Sequence, residues 1–238
     1  MLNQYYGDYL TVAIFIAIGA ILVGGAVAAN KAIAPNAPGG LKVLPSFCVV
    51  PAVRAFPRLG DNMELSLMLH GEQTIKLYRP IPPSGKLIQV GECTDIFDKG
   101  KGAVYHVKIT GKTEDGEHLY DAQWAIFYLG AGGFGGDPGP KAEKIEPPAG
   151  VAPDFSISDE VADNQAAIYR LSGDLNPLHV DPDVATRAGY DQPILHGLCT
   201  MGMAGHALLQ EVADNDPARF GGYACRFSAP VFPGETLR

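Results

Sequence analysis

The sequence predicts an α+β fold, an antiparallel sheet wrapped on one buried helix in two unequal copies, behind a single N-terminal membrane helix. Three observations carry this. Runs at Leu87 to Ile96, Ala103 to Thr113, His118 to Leu129 and Tyr223 to Phe227 are rich in β-branched and aromatic residues and are bounded by glycine or charged turns. From Leu198 to Val212, the residues Leu198, Met201, Ala204 or Gly205, Leu208, Leu209 and Val212 recur at helical spacing. Two sets of landmarks also repeat. Leu69-His70-Gly71 precedes the Pro-rich strand entrance Arg79 to Leu87, and Leu195-His196-Gly197 precedes Ala229 to Leu237. His70 and Leu87 are 17 positions apart, and His196 and Leu237 are 41 apart. The extra residues of the second copy contain the helical run, which the first copy lacks.

Taken in order, residues 10–29 read LTVAIFIAIGAILVGGAVAA, an uncharged apolar run long enough to span a bilayer. A cleaved signal peptide is the alternative, but Asp8 precedes the run and no Lys or Arg does. Lys31 and Lys42 follow it, which places the remainder in the cytoplasm. Without that segment the whole chain reads as cytoplasmic. A Pro/Gly break at Pro35 to Gly40 closes the first region, 1–40. The first copy then occupies 41–136, a linker 137–153 and the second copy 154–238. The linker extends a Gly/Pro-rich stretch that begins at Gly130, where Gly130, Gly132 and Gly135 match a dinucleotide fingerprint. Asp137-Pro-Gly-Pro follows, which cannot open the helix whose N-terminus would hold a pyrophosphate, so the stretch reads as a connection.

Composition narrows the function. The chain has 238 residues, of which 47% are hydrophobic and 18% charged, enough for a substantial core. A net charge of -8 with scattered Lys and Arg argues against a nucleic-acid surface. Cys48, Cys93, Cys199 and Cys225 show no CxxC spacing and read as reduced core or near-core thiols.

The chemistry concentrates in Asp174-Leu-Asn-Pro-Leu-His179. Pro177 fixes φ and removes a donor, so the segment reads as a rigid turn aiming Asp174 and His179 into a common space. Such a pair can deprotonate a water and protonate a carbon. Each residue also has a plainer reading. Asp174 suits an Asx-turn or cap, and His179 suits a satisfied turn histidine. His196 is ambiguous and stays outside the catalytic set. Arg170 reads as an internal ion-pair partner that orders the loop.

YRLSGDLNPLH with the downstream ILHG resembles the signature of the MaoC-like, (R)-specific enoyl-CoA hydratase family. From about Leu41 to Arg238 the chain is similar to the hydratase 2 domain of the peroxisomal multifunctional enzyme type 2, through LPSFCVVP, LHGEQ, LYRPIPPSGKL, DKGKG, the glycines of GAGGFGG and RFSAPVFPGETL. The resemblance implies a double hot-dog fold whose first repeat has given up its central helix to an acyl chain. It implies reversible hydration of a trans-2-enoyl-CoA, with Asp174 and His179 as the catalytic pair sharing one water and Asn176 helping to hold it. The Gly197 N–H, where the long helix begins, would cradle the enolate-like oxygen. His70, Gly71, Lys99 and Phe227 match positions that contact substrate or CoA; their plain readings are a strand-end His, a turn Gly, a solvated Lys and a core Phe. No metal or redox cofactor is implied, CoA being part of the substrate, and a homodimer stays open.

Both ends depart from the family pattern. An opening strand and an acidic motif are expected before Leu44, where the apolar segment stands, and further strands are expected after Arg238. Residues 1–38 instead resemble the first membrane helix of a small NADH-quinone oxidoreductase component, so the chain reads as a fragment or a composite, with a natural membrane-anchored hydratase as the weaker alternative. The alternative functions are a membrane-complex component carrying a passenger hot-dog domain and, more weakly, a hot-dog thioesterase.

Overall fold

A computed structural model describes residues 41–57, 59, 63–64, 67–141 and 149–238. Strands β1 (Met68–Leu77), β2 (Leu87–Asp98), β3 (Gly102–Thr113), β4 (His118–Leu129) and β6 (Gly222–Arg226) form one antiparallel sheet in the order β2-β3-β4-β1-β6. A second, two-stranded sheet pairs β5 (Asp159–Glu160) with β7 (Thr236–Leu237). The β1–β6 pairing, with Gln73 opposite Cys225 and Ile75 opposite Tyr223, joins the two copies edge to edge.

Period-two alternation decides which face is buried. Ile75, Val107, Ile109, Tyr120, Ala122, Trp124 and Ile126 point to one side and form the main core. The other side is polar, as an antiparallel sheet with one solvated face should be. There the Asp121 carboxylate accepts from the Thr110 hydroxyl at 2.9 Å and the Tyr78 hydroxyl at 3.0 Å, and pairs with His118 Nε2 at 2.9 Å.

The apolar face is covered by the single long helix among the described residues, whose Leu198 and Met201 enter the main core. The helices are α1 (Val49–Ala52), α2 (Gln165–Arg170), α3 (Pro182–Arg187) and α4 (Gly197–Ala213), and the long one is α4. Gly205 lets it approach β6, since a Cβ there would stand 2.6 Å from the Tyr223 hydroxyl. That hydroxyl donates to the Met201 carbonyl. In the first copy the place of such a helix is taken by short turns, Pro45–Cys48, α1 and Val53–Ala55, which bury Cys48, Val49 and Ala52 against the sheet. The turns come so close to β2 that a Cβ on Gly91 would lie 2.0 Å from the Ala55 carbonyl oxygen.

The sequence-based boundaries of β2, β3, β4, β6 and α4 agree with these elements to within three residues. Strand β1 carries no such sequence signal. Its register shifts between His70 and Glu72, and Gln73 is fully buried at 0% exposure, so the apolar alternation that would reveal it is broken twice. Cys48 and Cys199 are buried and Cys225 is half-buried, but Cys93 is exposed on edge strand β2, contrary to its core reading. The glycine run wraps a carboxylate. The N–H groups of Gly100, Gly133 and Gly135 each donate to the Asp98 carboxylate at 2.8 Å. These bonds hold the Asp98 carboxyl below the usual carboxylate range, the Gly133 bond foremost. The predicted span 10–29 lies outside the described residues, and among those described no helix is long and apolar enough to cross a membrane.

Replacing Gly91 by Ala should force the Pro45–Ala55 turns off β2 and destabilise the fold by about 1–3 kcal/mol, as overpacking does. Urea unfolding measures this, and an unchanged midpoint would refute the close packing of those turns.

Candidate active site

The Tyr169–His196 run is shaped by its own backbone chemistry. Helix α2 ends in a turn where the Gly173 N–H donates to the Arg170 carbonyl at 3.0 Å and Gly173 takes φ 111°, a conformation costly for any residue with a Cβ. Asp174 Oδ1 then accepts from the Asn176 N–H at 3.1 Å, and Asn176 Oδ1 accepts from the Leu178 N–H at 3.1 Å. These bonds start the 3-10 turn Pro177–His179. Asp181 caps α3 by accepting from the Asp183 and Val184 N–H groups. Leu178, Val184, Ala185 and Ile194 bury together beneath the loop and fix it.

This folding brings three polar groups together. An Asp174 carboxylate oxygen, a His179 ring nitrogen and a His196 ring nitrogen lie within 4.8 Å of one another. Among the described residues they are also the group close enough to hold a metal ion. The separation suits a water bridging two of them, each at about 2.8 Å. His179 Nδ1 lies 2.8 Å from the Ile194 carbonyl, which can only accept, so Nδ1 carries the proton and Nε2 keeps its lone pair. Burial, more than any neighbour, holds the His179 pKa below its ordinary value; Asp174 opposes that shift and Arg170 reinforces it.

The His196 ring lies on that of His179, centroids 3.8 Å apart at 31°, and against Tyr169 at 4.9 Å. His196 is 1% exposed and neither ring nitrogen has a hydrogen-bond partner. Burial, with the adjoining His179 second, brings its pKa down to about 4. The Asp174 backbone is near enough to oppose the shift without reaching full hydrogen-bond geometry.

A cavity of about 870 Å³ opens beside this group. Asp174, Asn176, His179 and Gly197 line one part of it, and Val53, Phe56, Met68, Trp124, Ile126 and Leu198 line an apolar part. Phe56 and Trp124 meet edge to face there, centroids 5.8 Å apart. Gly197 is the first residue of the 17-residue α4, where N–H groups have no intrahelical acceptor and the dipole favours negative charge. A Cβ at Gly197 would meet the Phe227 ring at 3.3 Å.

Of the residues singled out in the sequence, Asp174, Asn176, His179, Gly197, His70 and Phe227 all line this cavity. His70 packs on Phe227 with centroids 4.8 Å apart, and the Phe227 N–H donates to the Gly71 carbonyl at 2.8 Å, so the first Leu-His-Gly meets the residue that follows β6. Burial holds His70 at about 4. Lys99 does not line the cavity. It sits in the β2–β3 turn, where its ammonium donates to the Pro138 carbonyl and lies 5.7 Å from the Phe97 ring centroid. Arg170 has no ion-pair partner among the described residues, and its buried Nη1 has no acceptor, so the expected loop-ordering ion pair is not found there. Sequence reasoning leaves His196 aside. The available signal is its place in the second Leu-His-Gly, directly before the helix start.

Comparisons with known proteins show the family and the fold. Residues 19–130 match the MFE-2 hydratase 2 N-terminal domain family and residues 144–238 match the MaoC like domain family. The first match therefore starts inside the apolar run and reaches further toward the N-terminus than the motifs, which begin near Leu41. The chain is 41% identical over 204 residues to the enoyl-CoA hydratase ChsH3 of Mycobacterium tuberculosis, covering 82% of this chain and 70% of that protein. It is 41% identical over 208 residues to the peroxisomal multifunctional enzyme type 2 of Drosophila melanogaster, of which it spans 34%. The full-length structure of that enzyme superposes with a TM-score of 0.68 over 82% of this chain and 34% of that one. A Mycobacterium tuberculosis protein with a double hot-dog fold, 16% identical, superposes with a TM-score of 0.55 over 83% of this chain and 68% of that one, a likeness of fold alone. With the hot-dog architecture, both domain matches and these identities in agreement, the chain belongs to the MaoC-like enoyl-CoA hydratase 2 family.

Proposed function

We propose that this chain adds water reversibly to a trans-2-enoyl-CoA, giving the (3R)-3-hydroxyacyl-CoA, with Asp174 and His179 as the acid–base pair. The observation that carries the reading is their approach to within 4.8 Å beside the N-terminus of α4, at a cavity with an apolar part. The enoyl-CoA hydratase named among its relatives supports it.

A water held between the Asp174 carboxylate and His179 Nε2 gives up a proton to the pair as its oxygen bonds to C3 of the enoyl thioester. The electrons of the double bond move onto the thioester oxygen, which the Gly197 N–H stabilises. The proton then returns to C2, so one water supplies both the hydroxyl and the hydrogen. Asn176 faces the same space and helps to place the water. The apolar part lined by Phe56, Trp124 and Leu198 receives the acyl chain, and His70 and Phe227, packed on one another, line the same cavity. Only water and the chain's own groups take part, and CoA enters as part of the substrate. Thioester cleavage is the weaker reading, since the complete run Asp174-Leu-Asn-Pro-Leu-His179 favours hydration. The alternative of a membrane-complex component draws on residues 10–29 alone.

Asp174→Asn and His179→Ala should each lower the hydration rate of crotonyl-CoA or a longer enoyl-CoA by about 10²–10⁴-fold. Loss of the conjugated thioester's ultraviolet absorbance follows the reaction, and a native protein that turns over none of these substrates would refute the reading. Because the base must be unprotonated and burial lowers the His179 pKa, kcat/KM should hold through neutral pH and fall only below about 6.5. An acid limb centred above that value would contradict the assignment.

A further inference from the structure

His196 is a buried polar group, 1% exposed, beside the site, and the hydration chemistry above does not use it. It is not among the residues that line the cavity. A neutral imidazole has one donor and one acceptor, and leaving both buried without partners costs about 1–3 kcal/mol each. Packing alone would be served better by Phe, which would fill the slot between His179 and Tyr169 without that cost. The turn that carries Asp174 lies close to the idle nitrogens: its carboxylate is within 4.8 Å and its backbone is close to hydrogen-bond range.

We propose that His196 is a positioning residue, whose ring backs the His179 imidazole and whose idle N–H is taken up by Asp174 in the reacting complex. It thereby sets the separation at which the pair shares a water. Catalytic hydrogen bonds are commonly long before substrate binds and tighten in the reacting complex, and a shift of about 1 Å in such a pair costs about 10²-fold in rate. Burial and the adjoining His179 favour the neutral ring, which suits a positioning role. The asymmetry of the repeat fits this role. In the first Leu-His-Gly, the His70 ring already has a partner, Nε2 lying 3.2 Å from the Glu72 carbonyl, whereas the second histidine has none.

This inference rests on the hydratase reading, and the test separates the two. His196→Phe and His196→Gln are compared with the native chain for kcat and KM on one trans-2-enoyl-CoA and for the urea unfolding midpoint. The Phe variant should lose about 10²-fold in kcat with KM within about threefold, while its midpoint stays level or rises. Gln, which restores an N–H, should recover at least about tenfold of that loss. A Phe variant with native kcat overturns the inference and leaves the hydratase reading intact. So does one that fails to fold or loses activity only in step with stability, or a Gln variant no better than Phe. An inactive native chain overturns the hydratase reading and this inference with it.

Discussion

The site depends on one hydrogen bond, from His179 Nδ1 to the Ile194 carbonyl at 2.8 Å. A carbonyl cannot donate, so the bond fixes the tautomer and leaves Nε2 as the basic nitrogen. Ile194 is held in turn by burial with Leu178, Val184 and Ala185, and the neighbouring Leu195 N–H donates to the Val231 carbonyl at 2.7 Å. The small core beneath the loop therefore orients the imidazole. Without it, the ring could rotate and place either nitrogen toward Asp174.

A second constraint is the burial of these groups. Burial is the leading cause of the lowered pKa of His179, His196 and His70 alike, so three histidines near one carboxylate remain neutral. A neutral cluster can accept a proton from water and give it back, which a cluster of cations could not. The second copy supplies these groups on its loop and helix, and the first supplies an apolar wall where it lacks a long helix.

The sheet is legible where β-branched and aromatic residues alternate without interruption, as in His118–Leu129 and Gly102–Thr113. Strand β1 is not, because its register shift and fully buried Gln73 interrupt the apolar alternation. The turn at Pro177 and the start of α4 at Gly197 are legible because proline restriction and the onset of helical periodicity are local signals. Lys99 shows the limit of a motif match. Its neighbourhood is set by the glycine loop folding over Asp98, a contact between residues some 35 positions apart that spacing cannot reveal. His196 is hidden for a related reason, since stacking on His179 arises only when the loop closes back on the helix.

In the proposed reaction one water, held between Asp174 and His179 Nε2, supplies both atoms added to the double bond. Hydration of crotonyl-CoA in heavy water, with the configuration at C2 of the product determined by proton nuclear magnetic resonance, tests it directly. Deuterium at C2 on the same face as the new hydroxyl at C3, in the (3R) product, is the predicted result. Addition of the two to opposite faces would require separate donors on opposite sides of the substrate and would contradict the shared-water geometry.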